Sequence, residues 1–131
     1  MKAIVTYCSA KKKNASKLLP AFERYVSDRI AIVSKLASDK KQPFFILSGK
    51  YGFVAQDELI SYYDHLLVES EVDVHSKIVS KQLKLLGIRE IEFHMNHLKN
   101  EAALTAYLNC VKKACEQSGV SLIIVEATYF D

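Results

Sequence analysis

The chain has 131 residues, half of them hydrophobic and a quarter charged, with a net charge of +3 and a pI near 8.7. Those values predict one globular domain over residues 1–131, able to bury roughly two-thirds of its unfolded surface. They do not fit a disordered chain, and the mild basicity permits an anionic ligand or weak nucleic-acid contact without arguing for either, since dedicated binders usually show a denser patch. No apolar run approaches the ~18 residues of a membrane span, and Met1-Lys2-Ala3-Ile4-Val5 leads straight into a strand. No signal peptide is read, so the expected location is the cytoplasm. Three cysteines without framework spacing fit reduced thiols. CxxC, HExxH and paired Cys/His clusters are missing, so no metal is expected.

Lys2 to Tyr7 reads as the first strand, β-branched at Ile4, Val5 and Thr6. Cys8-Ser9-Ala10 follows, then a cluster of Lys11, Lys12, Lys13 and Lys17. Pro20 suits the first turn of a short helical piece ending near Tyr25. Ser27 is placed to cap a helix from Asp28 to about Ser38, with Ile30, Ile32, Val33 and Leu36 as its core stripe. A second strand is expected at Phe44-Phe45-Ile46-Leu47.

That strand stops at Ser48-Gly49-Lys50-Tyr51-Gly52, two glycines around a cation and an aromatic. Glycine is cheap where φ is positive or where another group must come close. The segment beyond it, through Tyr62-Tyr63-Asp64-His65 to Leu67, reads as an irregular folded rim. Gly49-Lys50 is not a phosphate loop: G-x-x-x-x-G-K-[ST] is missing, and so is G-x-G-x-x-G, so neither ATP nor NAD is expected and no cofactor is assigned.

Asp73 then caps a helix to Leu86, faced by Ile78, Val79, Leu83 and Leu86, with Gly87 closing it. Ile88 to Met95 is a third strand. Asn96 or Asn100 starts a long helix carrying Leu104, Tyr107, Leu108, Val111 and Cys115 on one face, ended by Ser118-Gly119. Val120 to Val125 is the fourth strand. This alternation predicts a three-layer α/β/α fold, Rossmann-like, with a parallel sheet of about four strands and right-handed crossovers.

Open parallel sheets bind ligands beyond the carboxyl ends of their strands. That edge would gather Cys8, Ser9 and Lys12, the Ser48–Gly52 loop, His94, Asn96 and Glu126. Each has two readings: Cys8 suits a small buried hydrophobe or a nucleophile, the lysines a solvated loop or a ligand clamp, His94 an internally satisfied histidine or a site group, and Glu126 a structural partner or a catalytic acid.

The segments Cys8-Ser9-Ala10-Lys11-Lys12, Tyr25-Val26-Ser27, Leu47-Ser48-Gly49-Lys50-Tyr51-Gly52 and Tyr63-Asp64 together resemble a largely uncharacterised domain family of bacteria and phages. Its motifs are C-S-x-x-K, Y-x-S, L-S-[AG]-K-[YH]-G-L and P-Y-D; here Tyr62 stands for the proline and Phe53 for the last leucine. The Leu47–Gly52 segment is also similar to the family of the peroxide-stress protein YaaA, implicated in DNA binding. The cysteine-to-lysine spacing is similar to a domain of archaeosine synthases whose lysine attacks a modified base. These resemblances imply a uracil-DNA-glycosylase-like α/β fold and a site containing Tyr25, Ser27 and Tyr63.

Two functions are expected from this set. In the first, an enzyme or enzyme-like domain acts on a nucleobase or nucleotide. Tyr51 or Tyr63 stacks the base, backbone N–H groups near Gly49 and Gly52 hold an anion, and Lys12 or Lys50 binds phosphate or supplies an amine. Asp64 or Glu126 then serves as acid or base, with Cys8 beside Lys12. In the second, the same pocket and lysine face make a non-catalytic nucleotide or nucleic-acid binder of a stress or phage-defence system. A purely structural role for Ser48 and Asp64 as turn residues stands beside both.

Overall fold

A computed structural model describes residues 1–129. In chain order the elements are β1 (Lys2–Tyr7), β2 (Leu19–Pro20), α1 (Ala21–Arg24), α2 (Asp28–Asp39), β3 (Phe44–Ser48), β4 (Gly52–Ala55), β5 (Leu59–Ile60), α3 (Val72–Leu86), β6 (Glu90–Met95), α4 (Leu104–Ser118) and β7 (Ser121–Glu126). Single 3-10 turns occupy Glu69–Glu71 and Leu98–Asn100. The main sheet has the order β4-β3-β1-β6-β7. Its last four strands run parallel, and β4 returns antiparallel to β3. Among the described residues, no helix is long and apolar enough to cross a membrane.

The fold is therefore mixed α/β, with one strand more than the sequence suggests. Apolar alternation in Phe53-Val54-Ala55 is too short to announce a strand by itself, but pairing Leu47 with Phe53 and Ile46 with Val54 completes a hairpin. Leu19–Pro20 and Leu59–Ile60 form a second, two-stranded ribbon.

β1 is the middle strand, buried from Ala3 to Tyr7. From β1 the chain crosses to β3 through α2, then reverses past β1 to β6 through α3 and onward to β7 through α4. Right-handed crossovers in opposite directions place α2 on one face and α3 with α4 on the other. The packing agrees, since α3 and α4 lie against each other while α2 covers β1 and β3.

Several helix details differ from the sequence reading. Ser27 does cap α2, its hydroxyl accepting from the Ile30 N–H at 3.1 Å, but Ile32 is exposed and the buried face runs through Arg29, Ile30, Val33 and Ala37. On α3 the buried face is Val72, His75, Val79 and Leu83, leaving Ile78 and Leu86 exposed. Glu71 precedes this helix in place of Asp73, whose carboxylate instead pairs with Lys113 across α4. Neither Asn96 nor Asn100 caps α4, which starts after Ala103; the Asn96 side chain accepts from the Tyr129 N–H at 2.8 Å. β7 is the outer strand, so its apolar run keeps Ile123 and Ile124 exposed.

At the opposite edge side chains occupy backbone groups of β4, Glu58 Oε1 accepting from the Ala55 N–H at 3.4 Å. Gln82 of α3 accepts from the Phe53 N–H at 2.8 Å and donates to the Phe53 and Tyr51 carbonyls. Gly52 makes this possible. Its φ is +74°, the left-handed value that ends a three-residue hairpin turn, and a Cβ there would stand 2.4 Å from Gln82 Oε1. Gly52→Val is expected to cost about 2 kcal/mol through backbone strain and loss of the Gln82 bonds, with the helices retained. Urea unfolding with far-UV circular dichroism measures it; a cost below about 0.5 kcal/mol contradicts this account of the turn.

Candidate functional site

The carboxyl end of β1 is held from below by Arg29. Its guanidinium is 1 % exposed, stacks 3.5 Å from the Tyr7 ring centre, and donates to Thr6 Oγ1 and to the Tyr7 and Cys8 carbonyls. A second interior arginine organises the lysine loop. Arg24 is fully buried and donates to the carbonyls of Lys13, Ala15, Lys17 and Ile60 at 2.6 to 3.3 Å. The loop is thus wrapped around a guanidinium, with the backbone of Lys12 bridging antiparallel to Tyr25. Lys11, Lys13 and Lys17 point outward and are exposed, whereas Lys12 is half-buried.

The chain turns in opposite directions on the two sides of β1, so the switch point of this sheet lies between β1 and β6, where open α/β sheets form ligand crevices. A cavity of about 110 Å³ opens there. Its walls are Tyr7, Cys8, Ser9 and Lys12 beyond β1, Asp64 to Leu66 from the rim, and Glu101, Leu104 and Tyr107 from the start of α4. Tyr107 ties the walls together: its hydroxyl accepts from the Leu67 N–H at 3.1 Å and from the Cys8 thiol at 3.6 Å. Glu101 accepts from the Tyr7 hydroxyl at 2.6 Å.

A wider cavity of about 660 Å³ adjoins it across Asp64 and His65, lined also by Gly49, Lys50, Tyr62, Tyr63 and His75. Beneath both lies a buried hydroxyl network. Ser48 Oγ accepts from the N–H groups of Lys50 and Tyr51 and is 2.8 Å from the Tyr63 hydroxyl, which is 2.5 Å from that of Tyr25. His75 shares a 2.8 Å bond with the Ser48 carbonyl. Lys12 Nζ sits 4.6 Å from the Tyr63 ring centre and Lys50 Nζ 5.9 Å from it, both as cation–π contacts. Among the described residues, neither lysine has a carboxylate partner.

Burial dominates the acid–base behaviour of this interior. It pushes the Cys110 thiol up to about 12 and that of Cys115 up to about 11, and raises the phenols of Tyr7, Tyr25, Tyr63 and Tyr107 above their ordinary value. Each is an acid that holds its proton more tightly when folded. The stability it contributes is complete below the unfolded-chain value, near 9 for the thiols, and is lost as pH climbs toward the folded value. Urea midpoints are expected to hold steady to about pH 8.5 and fall steeply beyond 9 to 10. An unchanged midpoint at pH 10.5 contradicts the assignment.

The sequence-derived candidates thus divide. Cys8, Ser9, Lys12 and Asp64 line the small cavity, and Gly49, Lys50, Tyr63 and again Asp64 the wide one. Tyr25 and Ser48 lie beneath as network members, both under 4 % exposed, and Tyr51 packs edge-on against Tyr63 with its hydroxyl 2.9 Å from Ser61 Oγ. Ser27 caps α2 and Gly52 faces Gln82, and neither lines either of these two cavities. Glu126 stands apart at the end of β7, 3.3 Å from His97 Nδ1. His94 is internal, 2.8 Å from the Glu92 carboxylate that Lys2 and Lys40 also reach. Glu101, Tyr107 and His65 also line these cavities, and sequence reasoning did not single them out. Tyr107 looked like one more core position of α4, and Glu101 lies in an irregular connector where spacing carries no signal.

A family model described as a family of unknown function, DUF6884, matches residues 4–124. No curated protein and no solved structure matches the chain.

Proposed function

We propose that this chain, which belongs to the DUF6884 family, takes a nucleobase or nucleotide into the switch-point cavity, with Lys12 as the group that acts on it. The observation that carries this reading is Lys12 itself: a half-buried lysine with no carboxylate in ion-pair contact among the described residues, lodged over Tyr63 on a cavity at the switch point. Its cavity neighbours supply what a heteroaromatic ring needs. Tyr7, Tyr107 and Leu104 give flat and apolar walls, while Ser9, Asp64 and Glu101 offer polar groups for the ring edge. A charged Lys12 neutralises an anionic ligand; a neutral one is a nucleophile, and Asp64, on the wall of the same cavity, is the candidate base. Cys8 shares the cavity as a second nucleophile. Glu126 has no part in this scheme.

Chemical-shift mapping tests the reading with nucleobases, nucleosides and nucleotides added to isotope-labelled protein. The expected result is perturbation at Cys8, Ser9, Lys12, Asp64 and Tyr107. Shifts confined to Lys11, Lys13 and Lys17, or no shifts with any compound, overturn it. The second reading, a non-catalytic nucleic-acid binder of a stress or defence system, draws on those three exposed lysines, which Arg24 holds on one rigid loop. The similarity of Leu47–Gly52 to the peroxide-stress family points the same way.

A further inference from the structure

We infer that the wide cavity is a second subsite, for the nucleotide flanking the one in the switch-point cavity, so that the ligand is single-stranded nucleic acid and not a free nucleoside. This rests on reading the small cavity as a nucleobase site. At about 110 Å³ that cavity is far below the few hundred Å³ of a complete small-molecule site. It has room for a ring and leaves the sugar and phosphate outside. What lies immediately outside is the 660 Å³ cavity, separated only by Asp64 and His65.

The wide cavity has the surfaces an unpaired base uses. Tyr62 is 44 % exposed and Val74 67 % exposed, with Leu67 buried at the wall, giving an aromatic face and an apolar wall open to solvent. Base stacking on exposed aromatics is the common basis of single-strand binding, and Tyr62 offers such a face on this cavity. The charges fit the same ligand. Lys12 borders the small cavity and Lys50 the wide one, and both reach the Tyr63 ring, so two cations with no carboxylate partner among the described residues stand near the boundary where a phosphodiester joining the two bases falls. Of the acids nearby, Glu71 is engaged by His65 at 2.9 Å and by the Val68 N–H, and Glu101 by Tyr7. Asp64 remains on the shared wall. A base seated in the small cavity has left its stack, which selects single strands over duplex.

The test is equilibrium binding of the four deoxynucleoside monophosphates, a mixed-sequence deoxyhexanucleotide, its ribose counterpart and the matching duplex, at two salt concentrations. The hexanucleotide is expected to bind about 10-fold more tightly than any monophosphate, the gain of one stacked base and one phosphate contact. Tyr62→Ala removes most of that gain and leaves monophosphate binding unchanged; its exposure makes the substitution safe for the fold. Lys50→Ala lowers hexanucleotide affinity and reduces the salt slope by about one. Equal affinity for monophosphate and hexanucleotide, with Tyr62→Ala silent, overturns the second subsite and leaves the nucleobase reading standing. Duplex binding equal to single-strand binding overturns it too. No binding by any probe overturns both.

Discussion

Arg29→Met is expected to destabilise the protein by about 4 kcal/mol, a large share of the roughly 5–15 kcal/mol that holds a domain of this size together. The guanidinium is inside the protein, and its contacts include Thr6 Oγ1 and the carbonyls of Tyr7 and Cys8. Methionine fills much of the volume but donates nothing, so these acceptors lose their partner where water cannot reach, at about 1–3 kcal/mol each before relaxation. The stacking on Tyr7 is lost as well. Lysine does not rescue the site, because one ammonium cannot reproduce the planar fork that serves three acceptors. Urea unfolding of both variants measures the effect. A loss below about 1 kcal/mol for the methionine variant shows that the end of β1 is held by something else.

Gly49→Ala is expected to cost up to about 3 kcal/mol and to weaken ligand binding at the same time. Gly49 has no positive φ; it is glycine because three other groups crowd it. A Cβ there would stand 2.8 Å from the Tyr107 hydroxyl and 3.1 Å from both the His65 carbonyl oxygen and the Leu67 nitrogen. Two of those atoms are backbone and cannot swing away. Moving the third pulls the Tyr107 hydroxyl off Leu67 and Cys8, which join the two cavities. The paired readout is thermal stability and chemical shifts at Cys8 and Leu67. An alanine variant with unchanged shifts at both positions contradicts this packing.

How much of this was legible in the sequence depends on the kind of signal. Strands β1 and β3 and helices α2 and α4 follow from apolar periodicity, and Ser27, Gly87 and Gly119 mark helix ends by local chemistry that needs no partner. The edge strand β4 was hidden because its existence depends on pairing with β3, not on its own four residues. The site was legible where residues directly follow a strand, as Cys8, Ser9 and Lys12 do. It was not legible where the long rim or the connector before α4 folds back, as with His65 and Glu101, since their placement depends on tertiary packing. The arginines are the clearest case. Arg24 and Arg29 carry no sequence signal of burial, yet both are buried, and the backbone carbonyls around them accept from their guanidinium groups.

Lys12 stands apart from the lysines beside it. Lys11, Lys13 and Lys17 are exposed, while Lys12 borders the small cavity and rests on Tyr63. The direct measurement is a titration of the four single alanine variants against nucleosides, nucleotides and single-stranded DNA at two salt concentrations. Lys12→Ala is expected to abolish small-ligand binding or turnover, while alanine at the other three positions changes affinity by less than about 3-fold, the size of a weak exposed charge contact. Comparable, salt-dependent losses at all four positions would contradict it and make the lysine loop a general phosphate-binding surface.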